Sequence, residues 1–211
     1  MIDHPSGFLA LSPRNRRYEL EGRPGFVAYR EKGAHRVALG GVHAAAEDRP
    51  AILAAFLAES RHLGRRVGAV QVRADQAALW RERGFAVTRF GATYALRLPG
   101  FTLACPDRAK LRRKIGRAER LGIRVGEIGV DLPPGPAAAR RLEELDRAWL
   151  ATKGGRPLDF LVGELGRARR IFVAVEPPDR WVGFITYVPA WGTRPGWLHD
   201  LTRRRPAAPP G

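Results

Sequence analysis

The chain has 211 residues, 45% of them hydrophobic, and this length and composition suffice for one large domain or two small ones. Its formal net charge at pH 7 is +16. Its single cysteine, Cys105, excludes a disulfide framework and a cysteine-rich zinc site. The longest strongly apolar run, residues 51–58, is too short to span a bilayer, and residues 1–20 lack the order of a signal peptide. We therefore expect a cytoplasmic protein that is at most peripheral at the inner face of the membrane.

The positive charge is spread over the whole chain. Residues 1–105 carry a net charge of +7 and residues 106–211 a net charge of +9, so a basic tail does not explain it. This distribution indicates a polyanionic partner such as RNA, DNA or an anionic membrane surface. Because 33 of the 37 cations are arginine in a chain rich in Ala, Gly and Pro, part of the charge reflects composition alone.

The first half has an α/β pattern of elements. Residues 1–24 look irregular, and alternation and turn residues then predict the order β-β-α-β-α-β-β. The predicted strands are 26–30, 36–39, 67–72, 85–90 and 93–98, and the predicted helices are 48–62 and 76–83.

The second half opens with a strongly basic helix. Residues 106–124 hold eight Arg or Lys against two acids. Asp107 suits the N-cap and Gly122 the position after the helix. The spacing predicts an apolar stripe that docks on the protein, made of Leu111, Ile115, Ala118 and Leu121. Beyond this helix, the pattern predicts a strand at 123–128, helices at 137–151 and 160–167, and a hairpin of 170–175 with 181–188.

Searches for common catalytic motifs find little. No two of the five histidines have metal-ligand spacing, and no serine lies in a nucleophile elbow. Residues 113–118 fit the R-x-x-G-x-A pattern with which acetyl-CoA enzymes of the GNAT type bind a pyrophosphate. That binding needs free amides at the start of a helix, whereas these residues lie within the predicted basic helix.

An ordered series of short motifs is more informative. It comprises G-F-x(4)-F-G at 84–91, the basic helix, D-x-x-W-L at 146–150, F-L-V-G at 160–163 and D-L-x-R-x-x-P-x-A-P-x-G at 200–211. In this order and spacing the chain resembles the C-terminal catalytic domain of bacterial phosphatidylglycerol lysyltransferases, the aminoacyl-phosphatidylglycerol synthases, from about residue 37 to residue 211.

The resemblance implies an α/β fold of two tandem GNAT-like (acyl-CoA N-acyltransferase-like) halves, 1–105 and 106–211, the second ending early. It also implies an aminoacyltransferase that uses aminoacyl-tRNA as co-substrate, with a phosphatidylglycerol-like lipid or a small molecule as acceptor. Aminoacyl esters are already activated, so we expect no cofactor and no metal.

The resemblance also suggests roles for individual residues. Asp200 becomes the base or the anchor for an ammonium group, and Arg203 stabilises developing charge; the structural alternative for Asp200 is an N-cap or an ion pair with Arg203. The residues expected to hold tRNA phosphates are Arg112, Arg113, Lys114, Arg117 and Arg120. Those expected to shape the pocket are Tyr94, Asp159, Phe160 and Gly163.

Two departures from the family pattern keep other functions open. Residues 91–94 lack the acidic side chain that usually follows the Phe-Gly junction, which argues against lysine as the donor. The pattern also continues in the family beyond the position where this sequence stops. The alternatives are a non-catalytic module that binds RNA or anionic lipid, and an acetyl-CoA-dependent N-acetyltransferase.

Overall fold

The computed structural model describes residues 4, 6–154, 163, 165–167, 169–192 and 195–208. Contacts group the chain into two compact units. The first comprises Met1–Ala92 with Pro189–Leu198, and the second comprises Thr93–Val188 with His199–Gly211. The predicted division into halves after residue 105 stays a prediction.

The first unit is built on a four-stranded sheet in the order β1-β2-β3-β4. Its strands are antiparallel except for the parallel pair β3–β4, which helix α2 connects. Gly33 has φ +56° in the β2–β3 turn, a conformation that favours glycine. The elements are α1 (Gly7–Ala10), β1 (Arg16–Leu20), β2 (Arg23–Lys32), β3 (His35–Ala44), α2 (Arg49–His62), β4 (Arg66–Val70) and α3 (Ala77–Glu82).

The core of the first unit lies between its sheet and α2. Helix α2 has a proline in its first turn, where no backbone donor is lost, and it buries the side predicted from its period. Leu63, which we expected on that side, is 50% exposed because the helix ends at His62. The buried apolar residues include Val27, Tyr29, Ala38, Val42, Ile52, Leu53, Phe56 and Trp80.

Most of a second four-stranded sheet, in the order β5-β6-β7-β8, belongs to the second unit. Strands β5, β6 and β7 pair antiparallel, and α5 packs its predicted inward residues Leu142 and Leu145 into the core. The elements are α4 (Ala109–Arg120), β5 (Arg124–Glu127), α5 (Pro136–Ala151), β6 (Arg170–Glu176), β7 (Arg180–Ala190) and β8 (Gly196–Arg204). The chain thus has a mixed α/β fold with two sheets.

Two sequence predictions for the first unit and the following segment are wrong. Residues 1–24 contain helix α1 and strand β1, which alternation over only five residues did not reveal. Residues 85–98 form neither of the predicted strands. A β-rich sequence needs a neighbouring strand for its backbone hydrogen bonds, and none of the described strands pairs with this segment.

The basic helix forms, but it does not dock as predicted. None of its residues is buried, and Leu111, Ile115 and Leu121 are 42%, 37% and 45% exposed. Asp107 lies in a 3₁₀ turn that precedes α4 and makes no capping hydrogen bond with its side chain. The period of a sequence fixes which residues share a side, whereas a neighbour must be present to cover that side.

Much of the predicted helix 160–167 falls outside the described residues; Leu165–Arg167 form a 3₁₀ turn. Across the described ranges, we find no helix that has the length and hydropathy required to cross a membrane. The same ranges contain no group of three or more His, Cys, Asp or Glu side chains suited to a metal ion.

Candidate functional site

Asp200 lies on β8 with a half-buried carboxylate. Its Oδ1 accepts a hydrogen bond of 2.8 Å from the backbone amide of Gly163. Its Oδ2 is buried and has no hydrogen-bond partner among the described residues. Buried polar atoms are normally paired, so this oxygen is available to a group that the protein itself does not supply.

The backbone of Gly163 lies directly against this carboxylate. A Cβ atom added to Gly163 would lie 1.7 Å from Asp200 Oδ2, far inside van der Waals contact. A side chain at position 163 would therefore force the carboxylate to move. The structure thus brings together two of the residues that the resemblance implied, Asp200 and Gly163.

The environment of Asp200 changes its proton affinity. Burial raises the pKa of the Asp200 carboxyl above its ordinary value, because the ionised form loses hydration. The Gly163 amide and the charges of His199 and Arg203 act in the opposite direction. A carboxylate with a raised pKa and a free oxygen is suited to accept a proton from a nearby hydroxyl group.

Arg203 is a buried arginine with a fixed position, 9% exposed. Its Nε donates to Asp146 Oδ1 on α5, and its Nη1 donates to the Thr202 carbonyl oxygen at 3.2 Å. Its guanidinium carbon lies 4.1 Å from the centre of the Trp149 ring. The D-x-x-W-L and D-L-x-R motifs, which are far apart in the sequence, therefore meet at this residue.

Asp200 and Arg203 contact different residues: the carboxylate of Asp200 accepts from the Gly163 amide, and the guanidinium of Arg203 donates to Asp146 on α5. Arg203 and its neighbour Leu201 face α5, where Leu201 belongs to the buried core. The ion pair of Arg203 is with Asp146, and Asp200 lies within a strand, so both structural alternatives considered for Asp200 are wrong.

The sequence analysis missed the aromatic and polar side chains around His199, the residue before Asp200. The Tyr187 ring lies 5.7 Å from the His199 ring and 5.8 Å from the Phe172 ring. His199 Nε2 lies 2.7 Å from Thr202 Oγ1, and the tautomer decides which atom donates. Such residues give no motif in a sequence, because only the pairing of β6, β7 and β8 brings them together.

Two arginines of the basic helix region hold the segment before the helix. Arg112 Nη1 donates to the Cys105 carbonyl oxygen at 2.7 Å and also to the Leu103 carbonyl oxygen. Arg108 donates to the Thr102 carbonyl oxygen and stacks on Phe101 at 4.1 Å. Arg112 thus has a structural partner, which leaves it less available for phosphate than the sequence suggested.

The other predicted phosphate-binding side chains are exposed on α4. None of them makes an ion pair or hydrogen bond with another described residue. They are Arg113, Lys114, Arg117 and Arg120. Residues 113–118 lie inside the helix, so their amides are bonded within it and do not form the pyrophosphate site of a GNAT enzyme.

Of the remaining predicted pocket residues, Tyr94 does not add to the site around Asp200. Tyr94 is 93% exposed, in a segment that has no regular structure. No contact joins it to Asp200 in the ranges that the structure covers. Asp159 and Phe160 lie outside the described residues.

Comparison with known proteins identifies relatives over nearly the whole chain. Residues 2–211 match the family model described as phosphatidylglycerol lysyltransferase, C-terminal. The lysylphosphatidylglycerol biosynthesis bifunctional protein LysX of Mycobacterium avium is 32% identical over 167 residues, which cover 77% of this chain and 14% of the relative. LysX of Mycobacterium marinum is 29% identical over 168 residues, which cover 77% and 15%. The chain thus spans about a seventh of these relatives.

Solved structures share the fold. L-PGS from Bacillus licheniformis superimposes with a TM-score of 0.82 and 22% identity, over 98% of this chain and 63% of that one. The C-terminal domain of a putative lysylphosphatidylglycerol synthetase from Agrobacterium fabrum gives a TM-score of 0.82 and 20% identity, over 99% and 66%.

Proposed function

Because the chain belongs to the phosphatidylglycerol lysyltransferase C-terminal family, we propose that it moves an aminoacyl group from aminoacyl-tRNA to a hydroxyl group of an anionic, phosphatidylglycerol-like lipid. The observation that carries the proposal is the Asp200 carboxylate, which is half-buried, has a raised pKa and keeps one buried oxygen without a partner. If a small molecule rather than a lipid were the acceptor, its reaction with the aminoacyl group would need the same chemistry at Asp200.

The reaction exchanges one ester for another. The acceptor oxygen forms a bond to the aminoacyl carbonyl carbon, the bond from that carbon to the terminal ribose oxygen of the tRNA breaks, and the acceptor proton passes to the leaving oxygen. Asp200 serves this exchange in one of two ways. It accepts the proton of the acceptor hydroxyl, or it binds the ammonium group of the aminoacyl moiety and so positions the carbonyl carbon.

Arg203 supports this site through its contacts with α5. Asp146 and Trp149 hold its guanidinium, which fixes β8 against α5 and thereby fixes the backbone that carries Asp200. Its positive charge favours the ionised form of Asp200. We therefore assign Arg203 to positioning and to long-range charge stabilisation, rather than to contact with the reacting atoms.

The exposed cations of α4 provide a surface for the tRNA phosphates. Arg113, Lys114, Arg117 and Arg120 are spread along about two turns of helix, and each contact with a phosphate releases counterions. Arg112 contributes less, because it holds the preceding segment.

The finer fold proposal is that the two sheets are tandem GNAT-like halves. It is supported by the first sheet, in which antiparallel strands lead into a parallel pair connected by α2. The internal hydrogen bonds of α4 argue against an acetyl-CoA-dependent N-acetyltransferase, since they leave no free amides in residues 113–118 for the pyrophosphate.

Transfer of label tests the proposal directly. The protein is incubated with a pool of radiolabelled aminoacyl-tRNAs and vesicles of phosphatidylglycerol, and label is followed into the organic phase. We expect transfer by the wild-type chain and a loss of roughly 10²–10⁴-fold in Asp200→Asn, which keeps the shape of the side chain and removes its charge. The labelled amino acid identifies the donor.

Binding of tRNA separates the possible failures. If Asp200→Asn binds tRNA like the wild-type chain but transfers no label, the role of Asp200 in the reaction is supported. If the wild-type chain binds tRNA and transfers nothing to lipid, it acts as a binding module instead, and the proposed activity is wrong for this chain.

A further inference from the structure

Helix α4 leaves an apolar side uncovered. Leu111, Ile115 and Leu121 are each more than a third exposed, although a helix with this pattern ordinarily buries such residues. The helix has no buried residue along its twelve positions. An exposed apolar stripe on a helix marks a surface that another molecule covers.

The cations of α4 are arranged in relation to this stripe. Lys110, Lys114 and Arg117 recur at spacings of four and three, so they form a row along one edge of the stripe. Arg113 and Arg120 are seven positions apart and lie on the opposite side of the helix. All five side chains are exposed.

We propose that α4 is an interfacial helix that inserts the stripe of Leu111, Ile115 and Leu121 into the surface of an anionic phospholipid bilayer. The cationic row then lies at the level of the lipid phosphates, where the apolar stems of Lys and Arg still contact lipid. Each cation near an anionic surface strengthens binding by its attraction to the lipid phosphates. This inference rests on the proposed lipid acceptor, and it specifies how the protein reaches that acceptor.

Charge complementarity selects the bilayer over the other possible occupants. RNA would bind the cations of α4 but would leave the apolar stripe in water, because phosphates give no favourable contact to leucine or isoleucine. A second copy of this chain would bring two cationic rows together in proteins with a net charge of +16 each. An anionic bilayer covers the stripe and neutralises the row at the same time.

The arrangement separates two anionic partners on one helix. With the stripe toward the bilayer, Arg113 and Arg120 face water, where they can bind tRNA phosphates. The tRNA surface proposed above is then reduced to Arg113 and Arg120, because Lys114 and Arg117 bind lipid phosphates, and the two partners do not compete for the same side chains.

Vesicle binding with matched variants tests the role of the stripe. Sedimentation measures binding to vesicles of phosphatidylglycerol and phosphatidylcholine, and to vesicles of phosphatidylcholine alone. The double variant Leu111→Gln, Ile115→Gln keeps the net charge, and Leu63→Gln alters a leucine that is 50% exposed elsewhere in the chain. We expect the double variant to bind the anionic vesicles at least about tenfold more weakly and the Leu63→Gln variant to bind them like the wild-type chain.

A fluorescent label reports the orientation of the helix. Cys105→Ser removes the single cysteine, and Leu111→Cys or Arg113→Cys then carries an environment-sensitive fluorophore. On anionic vesicles we expect a blue shift and increased intensity at position 111 and little change at position 113. Equal responses at the two positions would contradict an inserted stripe.

Three further outcomes would overturn the proposal. In the first, the double variant binds vesicles as tightly as the wild-type chain. In the second, the double variant loses vesicle and tRNA affinity equally, which would indicate a structural role for the stripe. In the third, the wild-type chain self-associates and the double variant does not. The transfer assay and the vesicle assay test the two proposals separately. Vesicle binding through the stripe without label transfer refutes the proposed activity alone. Transfer to vesicle lipid that is insensitive to the double variant refutes the interfacial helix alone.

Discussion

The two units differ in how completely a buried charged group is hydrogen-bonded. In the first unit, Arg36 is 3% exposed, and it donates to Glu31 at 2.7 Å, to Glu59 at 2.9 Å and to Ser60 at 3.2 Å. In the second unit, Asp200 has one oxygen bonded to Gly163 and one oxygen without a described partner. A buried charge with all its groups paired serves the fold, whereas one with a group left over is available to a substrate.

The largest expected effect comes from breaking the closed network in the first unit. Arg36→Met keeps the stem of the side chain and leaves the Glu31 and Glu59 carboxylates without their guanidinium. We expect the free energy of unfolding to fall by about 3 kcal/mol, measured by urea denaturation. Arg23→Met, at the exposed pair with Asp48, should change it by less than about 1 kcal/mol. Equal effects of the two variants would show that the network has no special role.

The next effect concerns the contact between Gly163 and Asp200. Gly163→Ala places a Cβ atom where Asp200 Oδ2 now lies, so the carboxylate must move by more than 1 Å. Label transfer to lipid should decrease about 100-fold, because such a displacement misaligns the reacting groups. Gly166→Ala is the matched control, since nothing lies within 4 Å of its added Cβ atom. Full activity in Gly163→Ala would remove Asp200 from the reaction.

His43 should make the first unit sensitive to acid. Burial lowers its pKa to about 4, so the unfolded chain, with an ordinary histidine pKa near 6.5, binds the proton more readily between these values. The contribution of neutral His43 to the free energy of unfolding is fully present above pH 6.5 and is lost as the pH falls toward 4. This loss is about 2 kcal/mol between pH 7 and pH 5.

Unfolding by urea at pH 7 and pH 5 measures this loss. His43→Gln should reduce the difference between the two pH values, whereas His62→Gln, at an exposed histidine, should leave it as in the wild-type chain. A difference that persists in His43→Gln would assign the acid sensitivity to other groups.

A smaller effect is expected where α5 holds β8. Asp146→Asn keeps an oxygen acceptor for Arg203 Nε and removes the charge, so we expect a loss of about 1 kcal/mol in unfolding free energy and a parallel decrease in transfer. Glu143→Gln on the same helix is the control, because Arg147 contacts the backbone carbonyl of Glu143 rather than its carboxylate. A transfer rate unchanged in Asp146→Asn would contradict the positioning role of Arg203.

The smallest expected effect is a gain in the free energy of unfolding, whereas Arg36→Met is expected to lower it. Since the pKa of Asp200 is raised in the folded state, the folded chain binds this proton more readily than the unfolded chain, and stability decreases as the pH rises through that range. Asp200→Asn removes this penalty, so we expect unfolding at pH 7 to need slightly more urea than in the wild-type chain. A destabilised Asp200→Asn would mean that the carboxylate serves the fold, as Arg36 does.

Local patterns predicted a large part of the fold. Helices α2 and α5 follow from apolar residues at helical spacing, and α2 also from a proline in its first turn. The β2–β3 hairpin follows from strand alternation on either side of Gly33. These features depend on residues close together in the sequence, which is why the sequence alone reveals them.

The site was predictable only in part. Asp200, Arg203 and Gly163 were found because the family resemblance points to their motifs, and Asp146 and Trp149 belong to a motif that was noticed without a role. No pattern in the sequence indicates that Arg203 pairs with Asp146 on α5 while Asp200 contacts Gly163, since that depends on how β8 lies in its sheet.

By itself, the sequence determined the family, the α/β composition, the basic helix and the positions of its apolar and cationic residues. The tertiary structure alone decided which of these side chains are covered and which remain available. It left the stripe of α4 exposed, gave residues 85–98 no strand partner and left one oxygen of Asp200 without a described hydrogen bond. The physical reason is that helical period and strand alternation are local properties, whereas burial and hydrogen bonding between distant residues exist only after the chain has folded.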